Sequence, residues 1–246
     1  MGRYPRQVTD PHRPGLVVAL DGPGSSGKSS VGAAAALELG YRFCDTGLLY
    51  RAATWLTLKR GVPADGDPAA LVALVPDIAL VPDANGRLAN VSVEGEDVTA
   101  DVHTPGVDEA VSAVSRVPEL RGALLEYQRA LAASPGGIVM AGRDIGTIVL
   151  PDADLKIFLD ASVEERARRR TEERGLSADS EEARFILAQL RRRDDLDTNR
   201  AVAPLRAADD AVHIVSDGNE FADTVAAVVA AIREAEERAT VGGVAR

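Results

Sequence analysis

The run Gly22-Pro23-Gly24-Ser25-Ser26-Gly27-Lys28-Ser29 fits the phosphate-loop pattern G-x4-G-K-[ST]. Each residue type has a chemical reason to be there. Small residues let successive backbone N–H groups converge on phosphate oxygens, and a helix starting at the loop adds partial positive charge. Lys28 has the reach for the β- and γ-phosphates of a nucleotide, and the Ser29 hydroxyl is an oxygen donor for Mg²⁺. Asp21, directly before the loop, is a candidate contact to that ion through water, although a structural role at a strand end explains it equally well. The loop marks a nucleotide site without saying what becomes of the phosphate. No Asn-Lys pair occurs in the chain, which argues against the guanine signature Asn-Lys-x-Asp of a GTPase. A kinase needs a second anion site for its acceptor, and several groups could supply one. Thr46 and Arg51 follow Asp45, and Arg143-Asp144 follow Gly142. Arg193, Asp197 and Arg200 stand at i, i+4 and i+7, on one face if a helix continues that far.

These residues need elements that bring them together. Leu16–Asp21 is a short apolar run, and Lys28–Leu39 is rich in Ala and Leu. Strand, glycine loop and helix in that order open an α/β sheet. A second strand is expected at Tyr41–Cys44 and a helix over Gly47–Arg60. Proline becomes frequent after Gly61, and Ile78–Val98 alternates like short strands around Asn85-Gly86. Residues 62–104 therefore read as an inserted β-rich lobe. Helices are expected over Val107–Arg116 and Glu119–Ala132, and strands at Ile138–Ala141 and Leu155–Asp160. Ser162-Val-Glu-Glu165 has capping-box spacing and starts a helix to about Arg174. After a break at Gly175–Ser180, the pattern predicts a helix over Glu181–Leu196, a strand at Val212–Val215 and a helix over Phe221–Ala239. The last carries Phe221, Val225, Val228 and Ile232 on one face. Residues 1–15 and 240–246 read as disordered tails. Alternating strands and helices point to a parallel sheet covered on both sides.

Composition narrows the class of function. The chain has 246 residues, 46% of them hydrophobic and 27% charged, enough for one sizeable core. The net charge of −10 argues against a nucleic-acid partner. No apolar run reaches the roughly 18 residues of a membrane span, and the first residues carry no apolar signal stretch. The single cysteine, Cys44, excludes an internal disulfide and agrees with a reducing, cytoplasmic setting. Lysine is confined to Lys28, Lys59 and Lys156, whereas arginines crowd the stretch from Arg166 to Arg206. A planar fork of donors suits phosphate oxygens, so a local arginine field in an acidic protein points to a small anionic ligand.

The runs DGPGSSGKSS (Asp21–Ser30), CDTGLLYR (Cys44–Arg51), VEGEDVT (Val93–Thr99), AGRDIGT (Ala141–Thr147), PDADLKIFLDASVEERARRR (Pro151–Arg170) and RRRDDLDTNRAVAPL (Arg191–Leu205) resemble the bacterial cytidylate kinase family. The resemblance spans about Leu16 to Arg238. It implies a three-layer phosphate-loop α/β fold with a parallel central sheet, a core over 16–61 and 105–239, a helical lid near 166–185, and a monophosphate-binding insert at 62–104. It implies transfer of the ATP γ-phosphoryl group to CMP or dCMP, with Mg²⁺, by a cytoplasmic monomer that needs neither nucleic acid nor membrane. Ser112, Arg121 and Asp144 would read the cytosine edge, with Arg51, Arg143 and Arg193 on the CMP phosphate. Asp197 would take the ribose hydroxyls and Thr46 the sugar-phosphate. Thr46 departs from the family's usual Ser. Lys28, Arg143, Arg193 and Arg200 would carry catalysis, with Arg200 and some of Arg166, Arg169 and Arg170 closing from the lid. The open rivals are a kinase for another small acceptor and a nucleotide-sensing module without turnover.

Overall fold

The computed structural model describes residues 15–243; the expected N-terminal tail lies almost wholly outside them. The chain runs β1 (Val17–Asp21), α1 (Lys28–Leu39), β2 (Arg42–Asp45), α2 (Gly47–Arg60), α3 (Pro68–Val72), β3 (Ile78–Pro82), β4 (Leu88–Val93), β5 (Glu96–Asp97), α4 (Pro105–Val114), α5 (Pro118–Ala132), β6 (Ile138–Gly142), β7 (Leu155–Asp160), α6 (Val163–Glu173), α7 (Glu181–Thr198), β8 (Val212–Val215) and α8 (Phe221–Gly243). A π-helical turn occupies Ile145–Val149. The last helix continues through 240–243, where a tail was expected.

The strands form one sheet in the order β3-β4-β2-β6-β1-β7-β8, with β5 paired to β4. From β4 through β8 all neighbours are parallel, and the β3–β4 and β4–β5 pairings are antiparallel. The sheet is therefore mixed rather than purely parallel. The hairpin of residues 78–93 extends its edge, because β4 meets β2 through the register pair Cys44↔Leu88.

Period-two alternation builds the layers. Val18, Leu20 and Val139 point to the face covered by α1 and α8, together with Val31, Val228 and Ile232. Ala19, Ile138 and Met140 point the other way, onto α2, α4, α5 and the apolar side of the hairpin. Both faces being covered explains why the central strands are continuous apolar runs. Phe221 does not join the buried stripe of α8: it is 55% exposed, and Val228 and Ile232 carry that contact. Helices α6 and α7 enclose a small cluster of their own, Ala167, Ile186 and Leu190.

Register places the chemistry. Asp21 sits opposite Gly142, and Asp45 opposite Ala141. The carboxyl ends of β1, β6 and β2 thus deliver the phosphate loop, Arg143-Asp144 and Asp45-Thr46 side by side, at the edge where open α/β sheets bind ligands.

Candidate active site

The phosphate loop leaves β1 in a conformation that most side chains would prevent. Gly22 has φ +153°, and a Cβ there would lie 2.1 Å from the Leu159 carbonyl oxygen. Lys28 opens α1 and turns back over the loop, its Nζ donating to Pro23 O at 2.5 Å and Ser26 Oγ at 3.1 Å. Burial, and then the Arg143 guanidinium, hold its ammonium well below the ordinary lysine range. Ser29 donates its hydroxyl to Asp45 Oδ2 at 2.5 Å.

Of the two roles open to Asp21, its contacts within the protein are those of the structural one. Its oxygens accept from Ile145 N at 2.8 Å and Gly146 N at 2.7 Å. It fixes the π-helical turn behind Asp144, and the carboxylate that faces Ser29 is that of Asp45. Two backbone donors do not offset burial, which pushes Asp21 up to about 6.

A cavity of about 630 Å³ runs from the loop between α2, α4, α6 and α7. Over the loop hang Arg143, from the end of β6, and Arg193, from α7. A Cβ on Gly24 would come within 3.3 Å of Arg143 Nη2 and 3.6 Å of Arg193 Cδ. Arg143 Nε donates to Asp197 Oδ2 at 3.0 Å, and Arg193 Nε stands 4.0 Å from that oxygen. Among the described residues the buried Arg193 Nε has no hydrogen-bond partner. Burial and the neighbouring Arg143 lower Arg193 to about 10. Burial alone would raise Asp197, but Arg143 and Arg193 outweigh it and hold it below the usual carboxylate range. Positive charge crowded against a loop of backbone donors, with one carboxylate for two guanidiniums, is an arrangement suited to an anion.

The other end of the cavity is built on Asp144. Arg121 Nη2, from α5, donates to its Oδ2, while Arg121 Nη1 donates to Ser115 O at 3.1 Å. Ser112 is buried on the cavity wall, and the Tyr50 ring lies under the Arg121 guanidinium at 5.1 Å. Arg200 Nη2 is 3.5 Å from Asp144 Oδ1, with its Nε donating to Ala203 O. This bears on one expectation. Helix α7 ends at Thr198, so Arg193 and Asp197 share a face but Arg200 lies beyond it. Arg200 lines the cavity from the Asp144 end.

Thr46 donates Oγ1 to Ala141 O at 2.8 Å and lines the cavity. Arg51, on α2, donates to Val102 O at 2.9 Å and to Asp108 at 2.7 Å. Of the α6 arginines, Arg166 is structural: it donates to Ala161 O, Gly24 O and Asp194. Arg169 and Arg170 line the cavity, and Arg170 Nη1 reaches Ser25 Oγ at 3.2 Å. The spacing at Ser162 yields only half of a capping box. Ser162 Oγ caps Glu165 N at 3.3 Å, but Ser162 N donates to Asp217 and Glu165 pairs with Arg168 and Arg169. Asp45, which the sequence offers together with Thr46 and Arg51, lines the cavity; sequence reasoning missed Tyr50, which also lines it, and Asp108, which binds the cavity residues Arg51 and Arg170.

The fold and the loop define a phosphate-loop kinase architecture, with an arginine-rich cavity opening beside the loop. A gluconokinase structure from Sinorhizobium meliloti shares this fold, with a TM-score of 0.51 at 16% identity over 94% of this chain and 98% of that one. A family model described as cytidylate kinase matches residues 18–234. A cytidylate kinase of Nocardia farcinica is 48% identical over 197 residues, 80% of this chain and 84% of that protein. A cytidylate kinase of Geobacter sulfurreducens is 42% identical over 232 residues, covering 94% and 97%. The chain belongs to the cytidylate kinase family. Among the described residues no helix is long and apolar enough to cross a membrane.

Proposed function

We infer that this protein transfers the γ-phosphoryl group of ATP to CMP, giving CDP and ADP, and we propose that dCMP is also an acceptor. The observation that carries the reading is a single cavity joining Lys28, Arg143 and Arg193 at one end to Ser112 and Asp144 at the other, with Arg121 hydrogen-bonded to Asp144. The first group suits phosphates in line for transfer. The second suits cytosine, whose exocyclic amine can donate to a carboxylate while its ring nitrogen and carbonyl accept from arginine. Uracil would set a carbonyl against Asp144 and leave buried polar groups unpaired.

The acceptor phosphate is already an anionic nucleophile, so no side chain has to remove a proton. One of its oxygens bonds to the γ-phosphorus as the bond to the ADP oxygen breaks, and the ADP leaves with the electron pair. Catalysis is positioning plus charge neutralisation. Lys28 neutralises the donor phosphates, Arg143 and Arg193 the space between donor and acceptor, and Arg51 the acceptor side. Thr46 and Asp197 hold the sugar. Arg170 closes the site from α6, and Arg200 steadies Asp144.

Ser29 Oγ and Asp45 Oδ2 offer hard oxygen donors 2.5 Å apart, and the described residues hold no cluster of acidic, His and Cys groups that could cage a metal. That donor set fits Mg²⁺ held largely by phosphate oxygens and water. Bound there, Mg²⁺ would neutralise β- and γ-phosphate charge. A monomer and a cytoplasmic setting complete the proposal. Phosphorus NMR tests the reaction: ATP and CMP should convert to ADP and CDP in equal amounts, and ADP with free phosphate instead would contradict it.

A further inference from the structure

Asp108 ties together two arginines that line opposite walls of the cavity. It sits in the first turn of α4, with a side chain only 13% exposed. Its Oδ1 accepts from Arg51 Nη2 at 2.7 Å, and its Oδ2 accepts from Arg170 Nη2 at 2.6 Å. Arg174 Nη2 stands 4.0 Å from the same Oδ2. The two close arginines come from opposite sides: Arg51 is anchored on α2 through Val102 O, and Arg170 on α6 through Ser25 Oγ in the phosphate loop.

Helices α6 and α7 pack on each other around their own cluster, apart from the two cores of the sheet. Near the start of α6, Arg166 ties it to Gly24 O at 2.9 Å. One turn further out, Arg170 makes the tie across the cavity. Guanidiniums facing one another repel, and a carboxylate with one oxygen for each converts that repulsion into two charge-assisted hydrogen bonds.

We propose that Asp108 is a positioning residue that latches α6 over the cavity, holding Arg170 against the phosphate loop and in register with Arg51 before the transferring phosphoryl group arrives. Its kinetic consequence rests on reading the cavity as the site of phosphoryl transfer; the latch itself does not.

Asp108→Asn keeps the shape and removes the charge. The expected result is a kcat about tenfold lower with the CMP KM changed less than about threefold, because Arg51 keeps Val102 O. In an Arg170→Ala background the same substitution should change kcat less than about twofold, and Asp108→Glu should recover most of the loss. Spin labels at exposed Asp101→Cys and Asp179→Cys, with Cys44 buried and unlabelled, report the gap without nucleotide. Asp108→Asn should lengthen and broaden that distance. An equal kcat loss in both backgrounds, or an unchanged distance, would overturn the latch. If the Asn variant does not fold, Arg170→Gln tests the same distance. If the unaltered enzyme fails to turn over CMP, the functional reading falls while the distance still decides the latch.

Discussion

Replacing Arg143 with alanine separates catalysis from stability at the centre of the site. The side chain hangs over Gly24, pairs with Asp197 at 3.0 Å and is one of the charges that hold Lys28 below its ordinary range. Losing one fixed donor aimed at developing negative charge costs about 2.7–4 kcal/mol, or about 100- to 1000-fold in rate. The fold should lose little. The Arg143 side chain is 20% exposed in its ion pair, and a partly exposed pair is worth about 1 kcal/mol or less. Asp197 keeps Arg193 within 4.0 Å, and deleting one cation relieves the repulsion that, after burial, lowers Arg193. The assay is kcat/KM for CMP beside thermal unfolding. The expected result is a loss of at least about 100-fold with Tm moved by less than about 4 °C. A kcat/KM within about tenfold of the parent, or a loss matched by a collapse in Tm, would refute the electrostatic reasoning.

Asp144→Asn presents an amide where cytosine needs an acceptor and uracil a donor, so the CMP:UMP ratio of kcat/KM should fall at least about tenfold; parallel rates with both acceptors check it. Burial raises Asp21 from its ordinary 3.8 to about 6, so its ionised form costs stability in full above about pH 6, and protonation relieves that cost as pH falls towards 4. The stability of the parent relative to Asp21→Asn should therefore rise by about 2–3 kcal/mol from pH 7 to pH 4, read by denaturant titration; a flat or falling difference contradicts it. Ser29→Ala should leave the fold intact and raise the Mg²⁺ concentration for half-maximal activity by about tenfold, while a chelator should stop turnover in the parent and added Mg²⁺ restore it.

What could be read from the chain divides along local and non-local lines. The phosphate loop is contiguous, so its residue types announce both its conformation and its ligand, and α1 begins at Lys28 and ends at Leu39 as expected. Arg193 and Asp197 share a helix face that spacing alone reveals. Arg200 stands two residues past the end of α7, where spacing carries no periodicity, and its position follows from Asp144 and Ala203. For Asp21 the sequence leaves two roles open, because its amide donors lie 124 and 125 residues away in a π-helical turn. Asp108 was invisible for the same reason: its partners lie on α2 and α6, 57 and 62 residues distant. Phe221 has the spacing of a core residue yet lies at the cavity rim, since the buried stripe of α8 begins a turn later at Thr224.

The central claim is that one cavity reads cytosine and phosphorylates its monophosphate. Initial rates of ADP release with ATP, Mg²⁺ and CMP, dCMP, UMP or AMP in parallel test it most directly. The account predicts fast turnover with CMP and dCMP and much slower turnover with UMP and AMP. Turnover with UMP alone would contradict the roles of Ser112, Arg121 and Asp144, and ATP binding without turnover of any acceptor would contradict the kinase itself.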